Sequence, residues 1–542
     1  MNEICKQCSA GFEVTDDDLS FYKKISPVIK DEKFDIPTPS ICPGCRIIRR
    51  FSWRNDMNLF HRKCDKTGEN LISMFHPDSP ITVYKQDIWW SDDWDPLDYG
   101  RDFDFNRSFF EQFNELNLSL PHMHIAALKT ENSLYTNYNV GNKNCYMCSA
   151  GNHSQDCMYC YNAQNSSDCL DSDFVWDSEK LYQCVMCEDM YNCSYCVHSK
   201  NCKDSLFLED CSSCSECMLC FNLRNKKNCI LNKEYSREEY LAKKSEFFEK
   251  GFDELFELWK TERLKYPKKE NHNVQTENCT GEYIHQSKNC HECYIMAKGC
   301  EDCKYVVNGF PYLKDSYDCT YCGENASLIY ECIGTGINES NILLSNLCDE
   351  GCYNMIYCNY CFGCHDCFAC SNLRKKQYCV FNKQYSKEDY QEIVSRIIQH
   401  MQKIGEWGEF FPMQISPFAY NESCAYQYLP LSEEQVENLG LKWRVPGEDV
   451  TKDIVGANVK TCSVTGKFFK ILDKEKEFYS KMELPEPTKC YEQRHKDRME
   501  LMNGLMIYDR NCDKCGKGIR TNYSPDGGEI IYCEECYLGE VY

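Results

Sequence analysis

The chain has 542 residues, of which 42% are hydrophobic, and a formal net charge of −23. That length leaves room for several domains, and the acidic balance repels nucleic acid and anionic membrane at long range unless a local basic patch overcomes it. No stretch approaches the ~18 apolar residues of a membrane-spanning helix, and the start, Met-Asn-Glu-Ile-Cys, has neither a basic nor an apolar leader region.

No membrane partner is therefore expected. The expected compartment is the cytosol, where thiols stay reduced. Of the 43 cysteines, 31 lie between 145 and 379. In a reducing compartment such a pattern favours metal ligation, redox chemistry or packing over a disulfide framework.

In chain order, the first element is Cys5-x2-Cys8 followed by Cys42-Pro-Gly-Cys45, and the last is Cys512-x2-Cys515 followed by Cys533-x2-Cys536. Two residues between ligands let a tight turn aim both thiolates, and some backbone N–H groups, at one tetrahedral ion. Cys5, Cys8, Cys42, Cys45, Cys512, Cys515, Cys533 and Cys536 are thus the expected ligands of two structural Zn²⁺ sites. The competing reading of each set is a cluster of free buried thiols.

The two ends overlay. At an offset of 448, Cys42, Arg46, Arg50, Asn55, Arg62, Cys64 and Asp65 fall on Cys490, Arg494, Arg498, Asn503, Arg510, Cys512 and Asp513; upstream the offset is 457, so Cys5 meets Cys462 and Phe21-Tyr22 meets Phe478-Tyr479. Residues 1–95 and 462–542 read as duplicated zinc-ribbon or treble-clef modules that have lost ligands in complementary ways. In the front copy the second site keeps only Cys64, with Thr67, Lys85 and Ile88 for the rest; in the back copy the first site keeps Cys462 and Cys490 but has Thr465 and Gln493.

Between the front knuckle and Cys64 lie Arg46, Arg49, Arg50, Arg54, Arg62 and Lys63, opposed only by Asp56. A basic patch beside a knuckle can bind a phosphate backbone, which makes Arg46, Arg49, Arg50 and Arg54 candidate nucleic-acid contacts. The favoured alternative is a solvated helix face, or internal pairing with the acidic stretch next in the chain. That stretch, 87–105, interleaves seven aspartates with Trp89, Trp90, Trp94, Tyr99, Phe103 and Phe105. It is expected to dock its aromatics into a groove rather than to bind Mg²⁺ or Ca²⁺ through its carboxylates. Phe109, Phe110, Phe113, Leu116 and Leu120 then predict one face of a short helix, and residues 96–129 form a bridge to the central region.

The central region is doubled. Thr130-Glu131-Asn132 recurs as Thr276-Glu277-Asn278, and Asn222-Leu223-Arg224-x-Lys226 with Asn232-Lys233-x-Tyr235-Ser236 recurs 150 residues later. Two repeat domains, 130–262 and 276–408, are expected. Each ends in a helix that caps the stack: one opens at Ser236 with a capping box to Glu239 and runs on to Trp259, the other opens at Ser386.

Within the repeats Cys184, Cys193, Cys202, Cys211, Cys220 and Cys229 keep a nine-residue beat, as do Cys352, Cys361, Cys370 and Cys379. Asn144, Asp156, Asp168, Asn192, Asn201, Asp210, Asn228, Asn289, Asp302, Asp318 and Asp366 each precede a cysteine. Asn and Asp tolerate left-handed turns, and reduced Cys packs as a small apolar residue. These features predict a narrow parallel β-solenoid stacked at ~4.8 Å per rung. The many CxxC pairs leave zinc or iron–sulfur ligation, and dithiol redox chemistry, as less favoured readings, because residues three apart on a flat strand face opposite ways unless the strand bends.

The segment 409–461 reads as a docked connector, with a short helix opening at Ser432. The 12 histidines do not cluster, and His122 and His124 are explained by packing. No phosphate-binding loop, HExxH or GxSxG is present.

Taken together, CPGCRIIRR at 42–50, WWSDDWDPLDYGRDFDF at 89–105 and the NLRxK…NKxYS endings resemble an uncharacterised cysteine-rich, zinc-ribbon family found in predicted proteomes of candidate-phyla bacteria. The resemblance spans nearly the whole chain. It implies an architecture and no activity: some members carry a type III CoA-transferase label, for which this chain has no supporting residues.

The expected class is mainly β with helical insertions, two cysteine-rich repeat domains bracketed by zinc-ribbon modules. The expected role is a non-enzymatic scaffold with a protein partner. Nucleic-acid association and a redox or metal-cluster function are the alternatives.

Overall fold

The computed structural model describes residues 1–133, 135–324, 326–334, 336, 338–445, 456 and 458–542. Part of the expected connector, 446–455 and 457, therefore lies outside the described residues.

The architecture follows from a backbone rule in the cysteine-rich regions. In the first array every third residue is left-handed: Asn144, Met147, Ala150, His153, Asp156 and Tyr159 belong to a series, with φ between 49° and 58° at these six. The Asn and Asp residues that precede a cysteine all occupy such corners, with φ between 49° and 54°. Their short polar side chains make this region accessible at little steric cost. The residue after each corner points inward, and these inner residues form one buried cluster that includes Cys145, Cys157, Ala163, Val175, Leu181, Cys193 and Cys217.

Successive short strands pair in parallel at a twelve-residue offset, Tyr161 with Asp173, Asp173 with Val185, and Cys217 with Cys229. The nine-residue cysteine beat is therefore not the rung. It is one rung less one three-residue side: the Cys184 thiol donates to the carbonyl of Cys193, nine residues on, at 3.6 Å. The second array takes thirteen-residue steps, Tyr294 to Val307 to Thr320, and returns to twelve from Tyr353 to His365 to Gln377. The longest of its sheets has seven strands, and each sheet is an open series of strands.

Hydrogen bonding explains why the interior is made of Cys and Ser. The residue before each corner donates up a rung (Tyr146 N to Cys157 O, 3.0 Å) and the corner residue donates down (Tyr159 N to Tyr146 O, 3.0 Å). Side chains of the rung below take the N–H of the inner residue: Ser178 N to Ser166 Oγ at 3.3 Å, Cys202 N to Met190 Sδ at 3.3 Å, Cys364 N to Cys352 Sγ at 3.3 Å. A buried N–H without such an acceptor would cost roughly 1–3 kcal/mol. The bend on which the CxxC pairs depend falls at every corner, so both members of a pair face the interior.

Each array is followed by helix. In the second, Lys387–Ile404 is continuous and stops at left-handed Gly405. In the first, the expected single helix is two, Arg237–Phe248 and Phe252–Glu262, broken where Gly251 adopts φ 85°. The helix Phe109–Ser119 buries Phe109, Phe110, Phe113 and Leu116 as its spacing predicts.

The acidic stretch docks on the end of the second array. Arg374 Nη1 donates to the Trp89 carbonyl at 2.7 Å, and its guanidinium lies 4.9 Å from the Trp94 ring centre. Lys376 and Lys383 pair with Asp95 and Asp102.

The terminal modules cross over. The front module packs on the second array, and the back module on the first. Phe21 stacks on Tyr317 with centroids 3.8 Å apart, while Phe478 and Tyr479 meet Tyr182. Arg54 lies between the rings of Tyr138 and Tyr321, 3.8 and 3.9 Å from their centres, and so joins the start of the first array to the second.

Candidate metal centres

In each module a helix begins on a knuckle. Pro43–Phe51 has Cys42 as its N-cap and proline in its first turn; Glu534–Val541 has Cys533 as its N-cap. Proline pre-sets the first helical φ, and the helix N-terminus favours a thiolate.

The Sγ atoms of Cys5, Cys8, Cys42 and Cys45 lie within 4.8 Å of one another, as do those of Cys512, Cys515, Cys533 and Cys536. Cys8 to Cys42 is 3.7 Å and Cys515 to Cys533 is 3.8 Å. A tetrahedral ion with metal–sulfur bonds of ~2.3 Å has sulfur–sulfur edges of ~3.8 Å, so both donor sets fit a metal. Backbone N–H groups turn in as well: Cys8 N lies 3.5 Å from Cys5 Sγ and Cys533 N lies 3.2 Å from Cys512 Sγ.

The electrostatics of the bare thiols point the same way. A hydrogen bond from the Cys45 thiol, partly opposed by burial, pulls Cys42 down to about 5, and the same pairing pushes Cys45 up. In the back set, burial opposes ionisation of Cys512, but backbone N–H groups of Cys533, Cys515 and Lys514 bring it to about 6. Cys536 is pushed up to about 12, chiefly by the Cys515 thiol. Thiolates so close repel one another, and a divalent cation removes that conflict.

The hairpin Phe60–Lys63 with Asn70–Ser73 around Cys64 pairs as Tyr508–Asn511 with Gly518–Thr521 does around Cys512, without the other three cysteines. Lys85 N donates to Cys64 Sγ at 3.4 Å, the same contact that Cys533 N makes to Cys512. Asp65 and Asp513 each accept from the backbone at 2.6 Å, from Val83 and from Ile531. Cys64, Cys462 and Cys490 are all buried, and among the described residues only the two four-cysteine groups bring three or more ligand atoms together.

The array cysteines are placed differently. All but Cys279, which is half-buried, are buried. Their thiols lie between two carbonyls, as Cys193 does between Tyr191 and Cys202 at 3.3 and 3.5 Å and Cys352 between Asp349 and Cys361 at 3.1 and 3.5 Å.

The expectation of a basic patch is corrected. Arg46, Arg49, Arg50 and Arg54 are 2%, 7%, 0% and 5% exposed, so none of them offers a surface to a phosphate. Nor do they pair with the acidic stretch 87–105. Arg46 and Arg50 meet Asp318 of the second array at 2.8 and 3.2 Å; Arg49 grips Glu331 at 2.6 Å and Glu409 at 2.9 Å; Arg54 meets Asp56 at 2.6 Å. Paired burial offsets the cost of removing these charges from water.

The back module repeats the clamp. Arg494 meets Asp171 at 2.9 Å; Arg498 meets Asp171 at 3.2 Å and Asp173 at 2.9 Å; His495 also reaches Asp173 at 2.9 Å. Sequence reasoning missed these partners. The signal was present: Arg46 and Arg50 recur as Arg494 and Arg498 when the two ends of the chain are overlaid.

Compared with known proteins, the chain matches no family model, no curated protein and no solved structure.

Proposed function

We propose that this protein is a non-enzymatic scaffold: two narrow β-solenoids, descended from one duplicated unit, held by zinc-bearing modules that each grip the array of the opposite half. One observation carries this reading. Eight cysteines converge in two four-sulfur groups, whereas the array cysteines, Cys279 apart, are buried in a core where their thiols meet backbone carbonyls. Stacked repeats characteristically bind along one face, and the outer columns here offer a polar one. Lys143 pairs with Glu131, Lys288 with Glu277 and Lys314 with Glu301, while Tyr353 stacks on His365 at 4.7 Å. A protein partner suits such a surface. Zinc suits four thiolates in a tetrahedron, with iron as the competitor that shares the geometry.

Metal analysis of anaerobically purified protein tests the proposal. Two zinc per chain is the expected result. A much larger zinc content, or iron with acid-labile sulfide, would overturn it in favour of a metal-cluster or redox protein.

A further inference from the structure

Cys462 and Cys490 belong to neither four-sulfur group. When the two ends of the chain are overlaid they fall on Cys5 and Cys42, and the backbone around them repeats bond for bond. Cys462 N donates to the Lys467 carbonyl at 2.8 Å as Cys5 N does to Ala10 at 2.9 Å, and Gly466 N returns to Cys462 at 3.0 Å as Ser9 N does to Cys5 at 2.9 Å. Ser463 N reaches the Thr488 carbonyl at 2.9 Å and Lys6 N that of Ser40 at 3.1 Å, so the same bond ties each turn to the segment that leads into a helix. Cys42 caps Pro43–Phe51 and Cys490 caps Tyr491–Met499, both with φ −66° and ψ 161°. In the front module this frame brings the sulfurs of Cys5 and Cys42 within 4.8 Å. In the back module it sets the Cys462 thiol against that of Cys490.

The other two corners of the tetrahedron hold Thr465 and Gln493. Thr465 Oγ1 lies 3.8 Å from Cys490 Sγ, and the Gln493 side chain turns to Asp497 at 2.7 Å. A neutral hydroxyl and an amide do not complete a thiolate set for zinc, so two thiols are left facing each other. They are unlike. Burial opposes ionisation of Cys462, but the Thr465 hydroxyl and the backbone N–H groups of Cys490, Thr465 and Val464 bring it down to about 6. Burial pushes Cys490 up to about 11, helped by the Glu492 carboxylate and the Cys462 thiol. A thiolate beside a protonated thiol pairs a nucleophile with a resolving group. Both residues are 2% exposed, as Cys512 and Cys533 of the complete site are, and residues 463–468 of the covering hairpin are exposed throughout. A small oxidant has one turn of chain to pass.

We propose that Cys462 and Cys490 form a thiol-modification site, at which a hydroperoxide oxidises Cys462 and Cys490 resolves the product to a disulfide. The Cys462 thiolate attacks one peroxide oxygen; the O–O bond breaks, and the other oxygen leaves with a proton as water or an alcohol. The Cys490 sulfur then attacks the sulfenic sulfur. The S–S bond forms as the S–O bond breaks, and the hydroxyl leaves as water with the Cys490 proton. Two electrons pass from the two thiols to the peroxide. The oxidised pair would fasten the turn to the helix N-terminus covalently, where the front module has a metal-binding set. Failure of the pair to oxidise would leave the metal count and the scaffold proposal standing.

The test uses the full-length protein, purified anaerobically with its metal and exposed to a single equivalent of hydrogen peroxide at neutral pH. The protein is then alkylated in denaturant and digested without reduction. Mass spectrometry should find Cys462–Cys490 as the main new disulfide, with the array cysteines alkylated. Cys462→Ser should abolish oxidation of Cys490. Cys490→Ser should strand the intermediate, so that dimedone tags Cys462. Absence of the disulfide from the wild-type digest would overturn the proposal. So would a main disulfide among array cysteines or within a four-sulfur group, or a dimedone tag on Cys490 in Cys462→Ser. An unchanged metal content and circular dichroism spectrum show that each variant is folded, and the wild-type digest decides the matter without them.

Discussion

At Cys42 the sulfur faces three others at the start of a helix and is pulled down to about 5. At Cys352 the sulfur accepts one backbone N–H at 3.3 Å, lies 3.1 and 3.5 Å from the carbonyls of Asp349 and Cys361 and is fully buried. The same side chain belongs to a four-sulfur group that could hold a metal ion in one region and is a small hydrogen-bonding spacer in the other. Backbone geometry makes the difference. The knuckles converge four chain positions from two distant turns, whereas the corners of the arrays deliver inner residues one at a time along an axis.

Removing a ligand is the most severe way to break this contrast. Cys512→Ser should lose one of two metal equivalents and unfold the back module, since structural zinc supplies on the order of 10 kcal/mol. Metal analysis and limited proteolysis would register both effects, with the front site retained.

Breaking a clamp comes next. Arg50→Ala or Arg498→Ala removes one of the partners of a buried aspartate, with Arg46 still on Asp318 and Arg494 and His495 still on Asp171 and Asp173, and should cost about 1.5–3 kcal/mol in denaturant unfolding, without loss of metal. If either variant instead releases a metal ion, the clamps and the metal centres form one unit.

Acid should act on the seam between the second array and the bridge. Burial holds His122 neutral and pushes its pKa down to about 4, partly offset by its hydrogen bond to the Asn117 carbonyl. As pH falls below the ordinary value near 6.5, the unfolded chain takes up this proton first. The stability present above that value is therefore lost progressively down to about pH 4, by about 3 kcal/mol. His122→Asn should flatten this part of a stability–pH profile.

The smallest effect is expected inside the arrays. Cys352→Ser keeps an acceptor for Cys364 N and should cost under about 1 kcal/mol, while Cys352→Ala should cost about 1–3 kcal/mol. Neither should change the metal content, and a change in it would erase the distinction between the two regions.

Much of this was legible in the sequence. The four knuckles announce themselves by spacing, and the Asn/Asp-Cys dipeptides point to left-handed corners. The overlay of the two ends foretells paired contacts such as Asp65 with Val83 and Asp513 with Ile531. The rung length was not legible, because nine residues is the separation of interior cysteines on neighbouring rungs while the pairing register is twelve. Nor was the fate of the arginines. A run of basic residues looks the same in sequence whether it meets water or, as Arg50 does, an aspartate 268 positions away. The break at Gly251 was hidden by an apolar pattern that continues through it.

The left-handed corner at every third residue sets a grammar for length change. Adding or deleting a number of residues that is not a multiple of three would rotate every later inner residue to the outside. Adding whole rungs would only lengthen the stack. The second array shows exceptions of both kinds: at its start Val274 pairs with His285 and Glu277 with Lys288, eleven residues apart, and further on its extra residues fall on corresponding sides of successive rungs, between Ile295 and Gly299 and again between Asn308 and Tyr312. There a thirteenth residue is absorbed as a stacked bulge because its neighbour carries one too. Growth of such a protein is thus quantised, and a designer could extend it by copying a twelve-residue rung but not by inserting a loop at will.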